Sequence, residues 1–545
     1  MSDKKDKHKT KGKKEKRTKA KATTAGSDSE QSWEKTIIKS SELQLGEPVA
    51  KGTFGTVYKG ICRGQLVAIK HLHKQDLVNS HEKVEELKKE VMIMSRLRHP
   101  CLLLFMGVCT EPEHLSLVME FIDGSSLDAV IHKQDLLLTL EDRLKIAKGI
   151  AKGCNWLHCL EPPIVHRDLK PANILVDSAF NVKVCDFGLS CIKEPVDPHA
   201  PPNTKAVGSP IWMAPEILEG CNHNEASDVY AYGLILWELW TRETPFQGIT
   251  SFERFCDLVI DDHYRPEITD TIPVDVAGLI RECWHPNPAK RPSFETVITR
   301  LNEIIINSLI TDESGRKLWK SRKIVEKEAV SDYYPTYIHW DTLINALNAK
   351  KGTHHELESS ACKCLEAMIA TELSDLTTSE RKRVIVKAEA FGNFLLIFGP
   401  LKGVDIINKF EAVCRAGYFH GPTSAQEAGK RLQLAGANPG DFLVRMSGQE
   451  PKALAISKIN DERQVQHQRF FKAEHGFVIK INNEPQTYPD LETLIKETSE
   501  ALGLKRPCGA GSVFDYIFNP VSQDAYISSS FHNIGLDKKK TKGSK

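Results

Sequence analysis

The sequence predicts an α+β protein built from several domains. Its 545 residues exceed the roughly 250–300 that one hydrophobic core usually holds, so we expect about two to four domains. Short apolar strand patterns, such as residues 67–70, alternate with helical patterns, such as residues 140–158. In the helical patterns apolar residues recur every three or four positions, which predicts one buried face.

The composition is that of a soluble globular protein, with 41% hydrophobic residues, 27% charged residues and a net charge of +1. This balance excludes a strong overall attraction to nucleic acid or membrane. No uncharged run approaches the ~20 residues of a membrane-spanning helix, and no apolar leader follows Met1. The 14 cysteines form no Cys-x-x-Cys pair, so we expect reduced thiols in a cytoplasmic protein.

Both ends of the chain, residues 1–42 and 519–545, carry clusters of lysine. We predict that these ends are disordered, solvated tails. The alternative is electrostatic contact with an anionic membrane surface, which would place the protein at the membrane periphery. Nucleic-acid binding through the same lysines would depend steeply on salt, and we do not expect it.

Residues 166–173 form the segment HRDLKPAN, in which a carboxylate is followed by a lysine two positions later and an asparagine five positions later. The segment resembles the catalytic loop of eukaryotic protein kinases, enzymes that move phosphate from ATP to protein hydroxyls. The resemblance implies that Asp168 orients the substrate hydroxyl and accepts its proton, and that Lys170 offsets the charge of the migrating group. It also implies that the amide oxygen of Asn173 binds Mg²⁺.

Residues 49–57 resemble the glycine-rich phosphate-binding loop of the same family. Gly52 and Gly55 would let backbone N–H groups approach the phosphates of ATP. The first glycine of the family is replaced by Ala50, so we expect a stiffer loop. The predicted ATP-binding residues here are Val49, Ala50, Lys51, Gly52, Thr53, Phe54, Gly55, Thr56 and Val57.

Lys70 ends an apolar strand, where a buried ammonium group is unfavourable unless it is paired. It resembles the kinase lysine that holds the α- and β-phosphates. Its partner should be a glutamate on the following helix, residues 84–96. We predict Glu90, with Glu86 one turn earlier as the alternative.

Residues 117–122 resemble the strand that enters the hinge of a kinase. By this resemblance Met119 is the residue that guards the pocket behind the adenine, which should therefore be narrow. The backbone of Glu120 and Ile122 would contact the adenine.

Residues 186–188, Asp-Phe-Gly, follow a short strand about a dozen positions after Asn173. The resemblance implies that Asp186 holds the Mg²⁺ that bridges the phosphates. Further on, Glu216 and Arg291 match a structural ion pair of the family, and Asp228 matches the aspartate that braces the catalytic loop.

The segment 189–213 is rich in proline and polar residues and resembles a kinase activation segment. Arg167, next to the catalytic aspartate, calls for an anionic partner, and a phosphate on this segment would supply one. Thr204 and Ser190 are the candidate phosphosites. The alternative is that these hydroxyls are only solvated.

Lys170 and residues 208–213 resemble serine/threonine kinases, most closely those of the tyrosine-kinase-like group that includes Raf. That group stands near the boundary with tyrosine kinases. We therefore predict mainly serine/threonine phosphorylation with some tyrosine activity.

Residues 305–415 carry no catalytic motif. Two stretches, 359–373 and 380–391, have helical composition, and we predict a helical connector. Cys362 and Cys364 lie close together, but their spacing does not suit a zinc finger, so a helix face is favoured over a metal site.

Residues 440–447, GDFLVRMS, place an arginine within an apolar strand. The segment resembles the phosphate-binding strand of SH2 domains, in which two helices flank a central antiparallel sheet. The planar guanidinium of Arg445 can bind phosphate through two parallel hydrogen bonds. The resemblance implies that Ser447, His467 and Arg469 complete a phosphotyrosine pocket.

A capping box from Ser424 to Glu427 predicts the start of the first SH2 helix. The family usually has an arginine in this helix at the position that Ala425 occupies here, which predicts weaker phosphate binding. An ion pair on a half-buried strand is the alternative role for Arg445.

The predicted order is a bilobal protein kinase at 43–304, a connector, and an SH2 domain at 418–518. This order resembles the SH2-carrying kinases of social amoebae. It implies an ATP- and Mg²⁺-dependent kinase that phosphorylates protein substrates and is recruited to tyrosine-phosphorylated partners. The alternative is a pseudokinase scaffold that only binds phosphotyrosine, and Ala50 is the one residue that favours it.

Overall fold

The structure, a computed structural model, covers most of the chain between the lysine-rich ends. The residues that it describes are 36–52, 55–72, 81–111, 113–187, 191–192, 209–321, 336–351, 355–373, 383–402, 405–447, 452–508 and 511–518. Thr53, Phe54, Ser190 and Thr204 therefore lie outside the described residues. The chain divides into two compact units, one of Met1–Ile272 with Ile280–Phe294 and the other of Pro273–Leu279 with Glu295–Lys545.

A five-stranded antiparallel sheet lies at the start of the described part of the first unit. Its strands are β1 (Leu43–Gly52), β2 (Gly55–Cys62), β3 (Gln65–Leu72), β4 (Phe105–Cys109) and β5 (Ser116–Glu120). The spatial order is β1-β2-β3-β5-β4, and helix α1 (His81–Arg96) connects β3 to β4. In β3, Val67 and Ile69 are fully buried on one face, so Lys70 lies on the opposite face.

Six α-helices lie in the described part of residues 127–283. In the described residues they are α2 (Leu127–His132), α3 (Leu140–His158), α4 (Pro215–Leu218), α5 (Glu225–Thr241), α6 (Phe252–Ile260) and α7 (Val274–Cys283). Helix α3 has the predicted bounds, and its first turn is held by a capping box between Thr139 and Asp142. Its predicted apolar stripe is buried, including Leu144, Ala147 and Ile150.

Short strands carry the polar motifs of the first unit. They are β6 (Gly124–Ser126), β7 (Ile164–Val165), β8 (Ile174–Asp177), β9 (Val182–Val184) and β10 (Cys191–Ile192). Strands β6, β8 and β9 form one antiparallel sheet, and β7 pairs with β10. The segment 166–173 therefore connects β7 to β8, and Asp186 follows β9 by two residues.

The connector contains strands as well as helices. Helix α8 (Phe294–Leu309) leads into it, and its elements are α9 (Glu313–Trp319), β11 (Tyr337–His339), α10 (Trp340–Lys351), α11 (Ser360–Ile369), β12 (Ala370–Leu373), β13 (Arg383–Lys387), α12 (Ala388–Phe398) and α13 (Ile406–Arg415). The sheet β11-β13-β12 was not predicted. Three consecutive β-branched residues, 384–386, favour a strand within a stretch that has helical composition. Cys362 and Cys364 are fully buried on α11, which agrees with a helix face.

A six-stranded sheet forms the C-terminal part of the second unit. The elements here are β14 (Phe419–Pro422), α14 (Ala425–Leu434), β15 (Phe442–Met446), β16 (Ala453–Ile459), β17 (Val465–Ala473), β18 (Gly476–Ile481), β19 (Glu484–Tyr488), α15 (Leu491–Thr498) and α16 (Asp515–Phe518). The strands lie in sequence order, and only β14 and β15 pair in parallel. Ser424 caps α14 by accepting from the backbone N–H of Glu427, 3.1 Å away.

One continuous hydrophobic core joins the connector to the six-stranded sheet. It contains Ile306 from the end of α8, Trp319 from α9 and Phe410 from α13. Phe419 from β14 and Leu494 from α15 belong to the same core. The connector and the six-stranded sheet therefore share their interior. None of the helices in the described ranges is long and apolar enough to cross a membrane.

Candidate active site and phosphate-binding pocket

The backbone of the predicted catalytic loop is held by Asp228, a buried residue of α5. Its carboxylate accepts the backbone N–H groups of His166 (2.8 Å) and Arg167 (3.0 Å). It also accepts from Nε2 of His158 at 2.8 Å. Burial would raise the pKa of Asp228, but these donors outweigh burial and hold the pKa below its ordinary value. The charged carboxylate therefore fixes the loop backbone, including the left-handed Arg167 (φ 70°).

Asp168 receives four hydrogen bonds. Its Oδ1 accepts from the backbone N–H (2.9 Å) and the hydroxyl (2.8 Å) of Ser209. Its Oδ2 accepts from Nδ2 of Asn173 (2.9 Å) and contacts Nζ of Lys170 (2.8 Å). Burial would raise the pKa of Asp168, but these donors outweigh burial and lower it. The carboxylate is thus held ionised and in one orientation.

Ser209 is a site residue that the sequence did not single out. Its hydroxyl accepts from Nζ of Lys170 (2.6 Å) while it donates to Asp168. It therefore ties the end of the activation segment to the catalytic loop. Ser209 lies 41 positions from Asp168, so periodicity could not connect them. The only available signal was its place in the resemblance at residues 208–213.

Lys70 and Asp186 meet, with Nζ 3.3 Å from Oδ1. Burial would lower the pKa of Lys70, but the charges of Asp186 and Glu90 outweigh it and raise the pKa. Burial, together with Asp186, raises the pKa of Glu90, while Lys70 opposes this shift. Glu90 thus influences the charge of Lys70, but the ion pair that the described residues show for Lys70 is with Asp186, so Glu90 as its partner stays a prediction. The side chain of the alternative, Glu86, lies outside the described residues.

The phosphate-loop residues lie on the hairpin of β1 and β2. Gly52 pairs with Gly55, Lys51 with Thr56, and Ala50 with Val57 across the two strands. A Cβ on Gly55 would approach the backbone oxygen of His71 to 2.4 Å, so this position requires glycine. Val49, earlier on β1, is 52% exposed.

The predicted hinge begins at the end of β5. Met119 is buried and pairs with Ala68 of β3, which brings it beside the strand of Lys70. The carboxylate of Glu120 accepts from the backbone N–H of Leu104 (2.7 Å) and from Nζ of Lys183 (2.6 Å). Lys183, which the sequence analysis did not select, therefore joins the hinge to β9, the strand that leads to Asp186. Ile122 lies half-buried just beyond β5.

The oxygen donors of Asn173 and Asp186 fit a hard divalent cation. The amide nitrogen of Asn173 donates to the backbone oxygen (2.8 Å) and side chain (2.9 Å) of Asp168. This arrangement leaves the amide oxygen of Asn173 to accept a cation. The side chain of Asp186 is 41% exposed, and carboxylate and amide oxygens are ligands that Mg²⁺ prefers.

The activation segment is described only near its end. The Nε atom of Arg167 is buried and has no hydrogen-bond partner among the described residues. Beyond the segment, Arg291 forms a two-point ion pair with Glu216, with N–O distances of 2.7 and 2.8 Å. The side chain of Arg291 is fully buried, so this pair anchors the segment firmly.

A buried carboxylate, that of Glu238, supports the same segment. Oε1 of Glu238, on α5, accepts from the indole N–H of Trp212 at 2.6 Å, three residues after Ser209. Glu238 is 1% exposed, and burial, reinforced by Asp128, raises its pKa to about 8 against the hydrogen bond from Trp212. Glu238 is therefore protonated at neutral pH in the folded protein.

Glu238→Gln should raise stability at alkaline pH. Between pH 4.5 and about 8 the folded state keeps a proton that the unfolded state has lost, so the wild type loses stability as pH rises through this window. Glutamine is neutral throughout and keeps the acceptor for Trp212. The variant should exceed the wild type by on the order of 4 kcal/mol at about pH 8 and by little at about pH 5. Thermal unfolding of both proteins across this range measures the difference, and a pH-independent difference would contradict the assignment.

Arg445 lies on β15 of the six-stranded sheet and is buried, with 6% exposed. Its guanidinium donates to the backbone oxygen of Thr423 (3.0 Å) and to the hydroxyl of Ser457 (3.3 Å). The same hydroxyl contacts Nδ1 of His467 at 2.8 Å. Burial, and then the charge of Arg469, lower the pKa of Arg445. The structure therefore gathers three predicted residues, Arg445, His467 and Arg469.

Ser447 and Ala425 are the other residues of the predicted phosphotyrosine pocket. Ser447 lies half-buried two positions after Arg445, and its backbone N–H donates to Ala453 at 2.9 Å. Ala425 is the first residue of α14, where the sequence analysis placed it. Thr423 and Ser457 were missed, because a backbone oxygen and a strand serine give no sequence signal of their own.

Comparison with known proteins identifies two domains in this chain. The sequence model described as "Protein tyrosine and serine/threonine kinase" matches residues 43–301, and the SH2 domain model matches residues 418–497. "Dual specificity protein kinase shkA" of Dictyostelium discoideum is 36% identical over 90% of this chain and 93% of its own length. "Dual specificity protein kinase shkC" of the same organism is 34% identical over 84% of this chain and 89% of its own length. "Serine/threonine-protein kinase CTR1" of Arabidopsis thaliana is 42% identical, but over only 48% of this chain and 32% of its own length.

Both sites thus belong to regions that match known domains, and the similarity to the Dictyostelium proteins spans the connector as well. The predicted α+β organisation, a kinase domain followed by an SH2 domain, is confirmed. The chain is a protein kinase and belongs to the family of SH2-domain-containing dual specificity kinases.

Proposed function

We propose that this chain transfers the γ-phosphoryl group of ATP to protein hydroxyls with Asp168 as the catalytic base. The observation that carries this proposal is the set of donors around Asp168, which keeps one ionised carboxylate oriented in a cleft. An ionised, oriented carboxylate can bind the substrate hydroxyl and accept its proton. Phosphoryl transfer depends mainly on such positioning and on charge stabilisation.

The surrounding residues have complementary roles in this proposal. Lys170 neutralises charge on the transferring group, and Lys70, oriented by Glu90, binds the α- and β-phosphates. The β1–β2 hairpin covers the phosphates, and the backbone of the hinge binds adenine below Met119. Asn173 and Asp186 would hold Mg²⁺, which supplies charge neutralisation on the phosphates when bound.

Phosphate transfer by the purified full chain to a generic protein substrate tests this function. The alternative, a pseudokinase scaffold that acts only as a phosphotyrosine-binding adaptor, predicts no transfer. Lys70, Asp168, Asn173 and Asp186 are all present, and the proposed enzyme should turn over in the presence of ATP and Mg²⁺. Absence of transfer under these conditions would favour the scaffold.

Serine and threonine should be the main acceptors, with tyrosine a minor one. Ser209 accepts a hydrogen bond from Lys170 beside Asp168, where the substrate hydroxyl would bind. The relatives are named dual specificity or serine/threonine kinases. Phosphoamino acid analysis of substrates and of the chain itself should give mostly phosphoserine and phosphothreonine. A product that is chiefly phosphotyrosine would contradict this preference.

We further propose that phosphorylation of Thr204 raises activity by giving Arg167 an anionic partner. The buried Nε of Arg167 supports this role, since a charged donor in a buried place requires an acceptor. Thr204→Ala should lower the rate of phosphate transfer by about tenfold, which corresponds to an increase of ~1.4 kcal/mol in the activation free energy. Ser190→Ala serves as the comparison, and a rate unchanged in Thr204→Ala would count against this site.

The SH2 domain provides the second half of the function. Arg445, with Ser447, His467 and Arg469, would bind phosphotyrosine and so direct the kinase to tyrosine-phosphorylated proteins. We place this activity in the cytoplasm, with the lysine-rich ends making weak contact with anionic membranes. Sedimentation with anionic vesicles at low and physiological salt tests that contact.

A further inference from the structure

The position of Arg445 depends on the segment just before helix α14. Its Nη1 donates to the backbone oxygen of Thr423 at 3.0 Å, and the hydroxyl of Thr423 in turn donates to the backbone oxygen of His420 at 3.0 Å. Thr423 follows β14 directly. A shift of β14 would therefore move an acceptor that orients the guanidinium.

The sheet alone holds β14 weakly. Among the strands that the structure describes, it is an edge strand that pairs with β15 alone, at Phe419–Val444 and Pro422–Met446, with an irregular register between these pairs. Gly421, in the middle of the strand, has a left-handed backbone (φ 67°). Contacts outside the sheet must therefore supply much of the order in this strand. They include side-chain packing, the hydrogen bond from the Ser512 hydroxyl to the backbone oxygen of Phe419 (3.1 Å), and the contact of His420 Nε2 with the backbone oxygen of Cys508 (2.6 Å).

The connector supplies that packing. The ring of Phe419 meets Phe398 of α12 edge-on (centroids 5.5 Å apart) and Phe410 of α13 edge-on (5.9 Å). Phe398 and Phe410 also contact each other at 4.7 Å. The ring of Phe514 stacks on Phe419 at 5.8 Å and also meets Phe410 edge-on at 5.8 Å. Two connector helices thus hold the first residue of β14 in place.

We propose that the connector positions the phosphotyrosine pocket, so that Phe398 and Phe410 set the affinity of Arg445 for phosphate through β14. The inference rests on the proposed phosphotyrosine binding and explains why an SH2 module should share a core with the segment before it. Phe398 and Phe410 are positioning residues, because neither touches the pocket itself. The expected effect is on affinity, in addition to stability.

The test compares two phenylalanines of the same helix in the full chain. Phe398 is half-buried and contacts Phe419, whereas Phe391 is 1% exposed and stacks on Trp319 instead, at 5.5 Å. Binding is measured by competition between free phosphotyrosine and immobilised phosphotyrosine, well below the unfolding temperature of each variant. Phe398→Ala should weaken binding by about tenfold, which corresponds to ~1.4 kcal/mol, and Phe398→Leu by less. Phe391→Ala should lose at least as much thermal stability but bind within about twofold of the wild type.

Equal binding by Phe398→Ala, Phe391→Ala and the wild type would overturn the inference. Weakening by both variants in proportion to their lost stability would do the same, because it would indicate a general structural effect. Should Phe398→Ala fail to fold, Phe398→Leu carries the comparison. Arg445→Ala distinguishes a failure of the proposed phosphotyrosine binding from a failure of the connector's role. If this variant binds phosphotyrosine like the wild type, the proposed phosphotyrosine binding is wrong. If it loses binding while Phe398→Ala does not, only the role of the connector fails.

Discussion

Asp168→Asn should lower kcat for phosphate transfer by about 10²- to 10⁴-fold, the usual contribution of a positioned acid or base. Asparagine nearly preserves the shape and still accepts from Ser209, but it cannot take a proton and loses the charge that attracts Lys170. The KM for ATP should change little, because the nucleotide contacts assigned to Lys70 and the hinge are untouched. Steady-state kinetics with a generic substrate measures both parameters.

Asp270→Asn is the matched control for this substitution. Asp270 is an exposed carboxylate of the same unit, so its replacement should leave kcat unchanged. Thermal unfolding should verify that Asp168→Asn remains folded. A variant that retains more than about a tenth of wild-type kcat would show that Asp168 is not the base.

Arg445→Ala should weaken phosphotyrosine binding by about 30-fold or more. Truncating a buried, charged hydrogen-bond donor typically costs about 2–5 kcal/mol, and its planar fork cannot be replaced by a neighbour. Arg445→Lys keeps the charge but lacks the fork, so it should recover only part of the affinity. Titration with a phosphotyrosyl peptide gives the three dissociation constants.

Arg506→Ala provides the control for Arg445. The side chain of Arg506 is 66% exposed and pairs with Asp441 in the same module. Its loss should affect binding by less than twofold, since exposed ion pairs contribute about 0–1 kcal/mol. Binding retained in Arg445→Ala, with the fold intact, would favour the alternative that this arginine serves only an ion pair.

Linear motifs carried most of what the sequence could predict. Asp168, Lys170 and Asn173 lie within six residues, and their order alone indicated one site. Lys70 and Asp186 are 116 positions apart, yet each stood in its own recognisable segment, and the structure brings them to 3.3 Å. Such residues could be predicted from the sequence because each residue type was tied to a short pattern, and their roles stay predictions.

The contacts that sequence analysis missed have no such pattern. Ser209 reaches Asp168, and Thr423 reaches Arg445, only because the fold returns the chain to the same place. The strand β13 was also missed, because helix-forming residues flank its β-branched centre. Trp212 and Glu238 illustrate a third case, in which burial rather than residue type determines the chemistry.

The shared interior of the second unit affects how this module can be inherited. A gene rearrangement that copied only residues 418–518 would sever Phe419 from Phe398 and Phe410 and leave an apolar face open to water. Such a fragment would tend to aggregate before selection could act on its ligand preference. The segment that must be inherited as a unit is therefore longer than residues 418–497, which match the SH2 domain. Recombination between genes should keep α12 and α13 together with the SH2 domain.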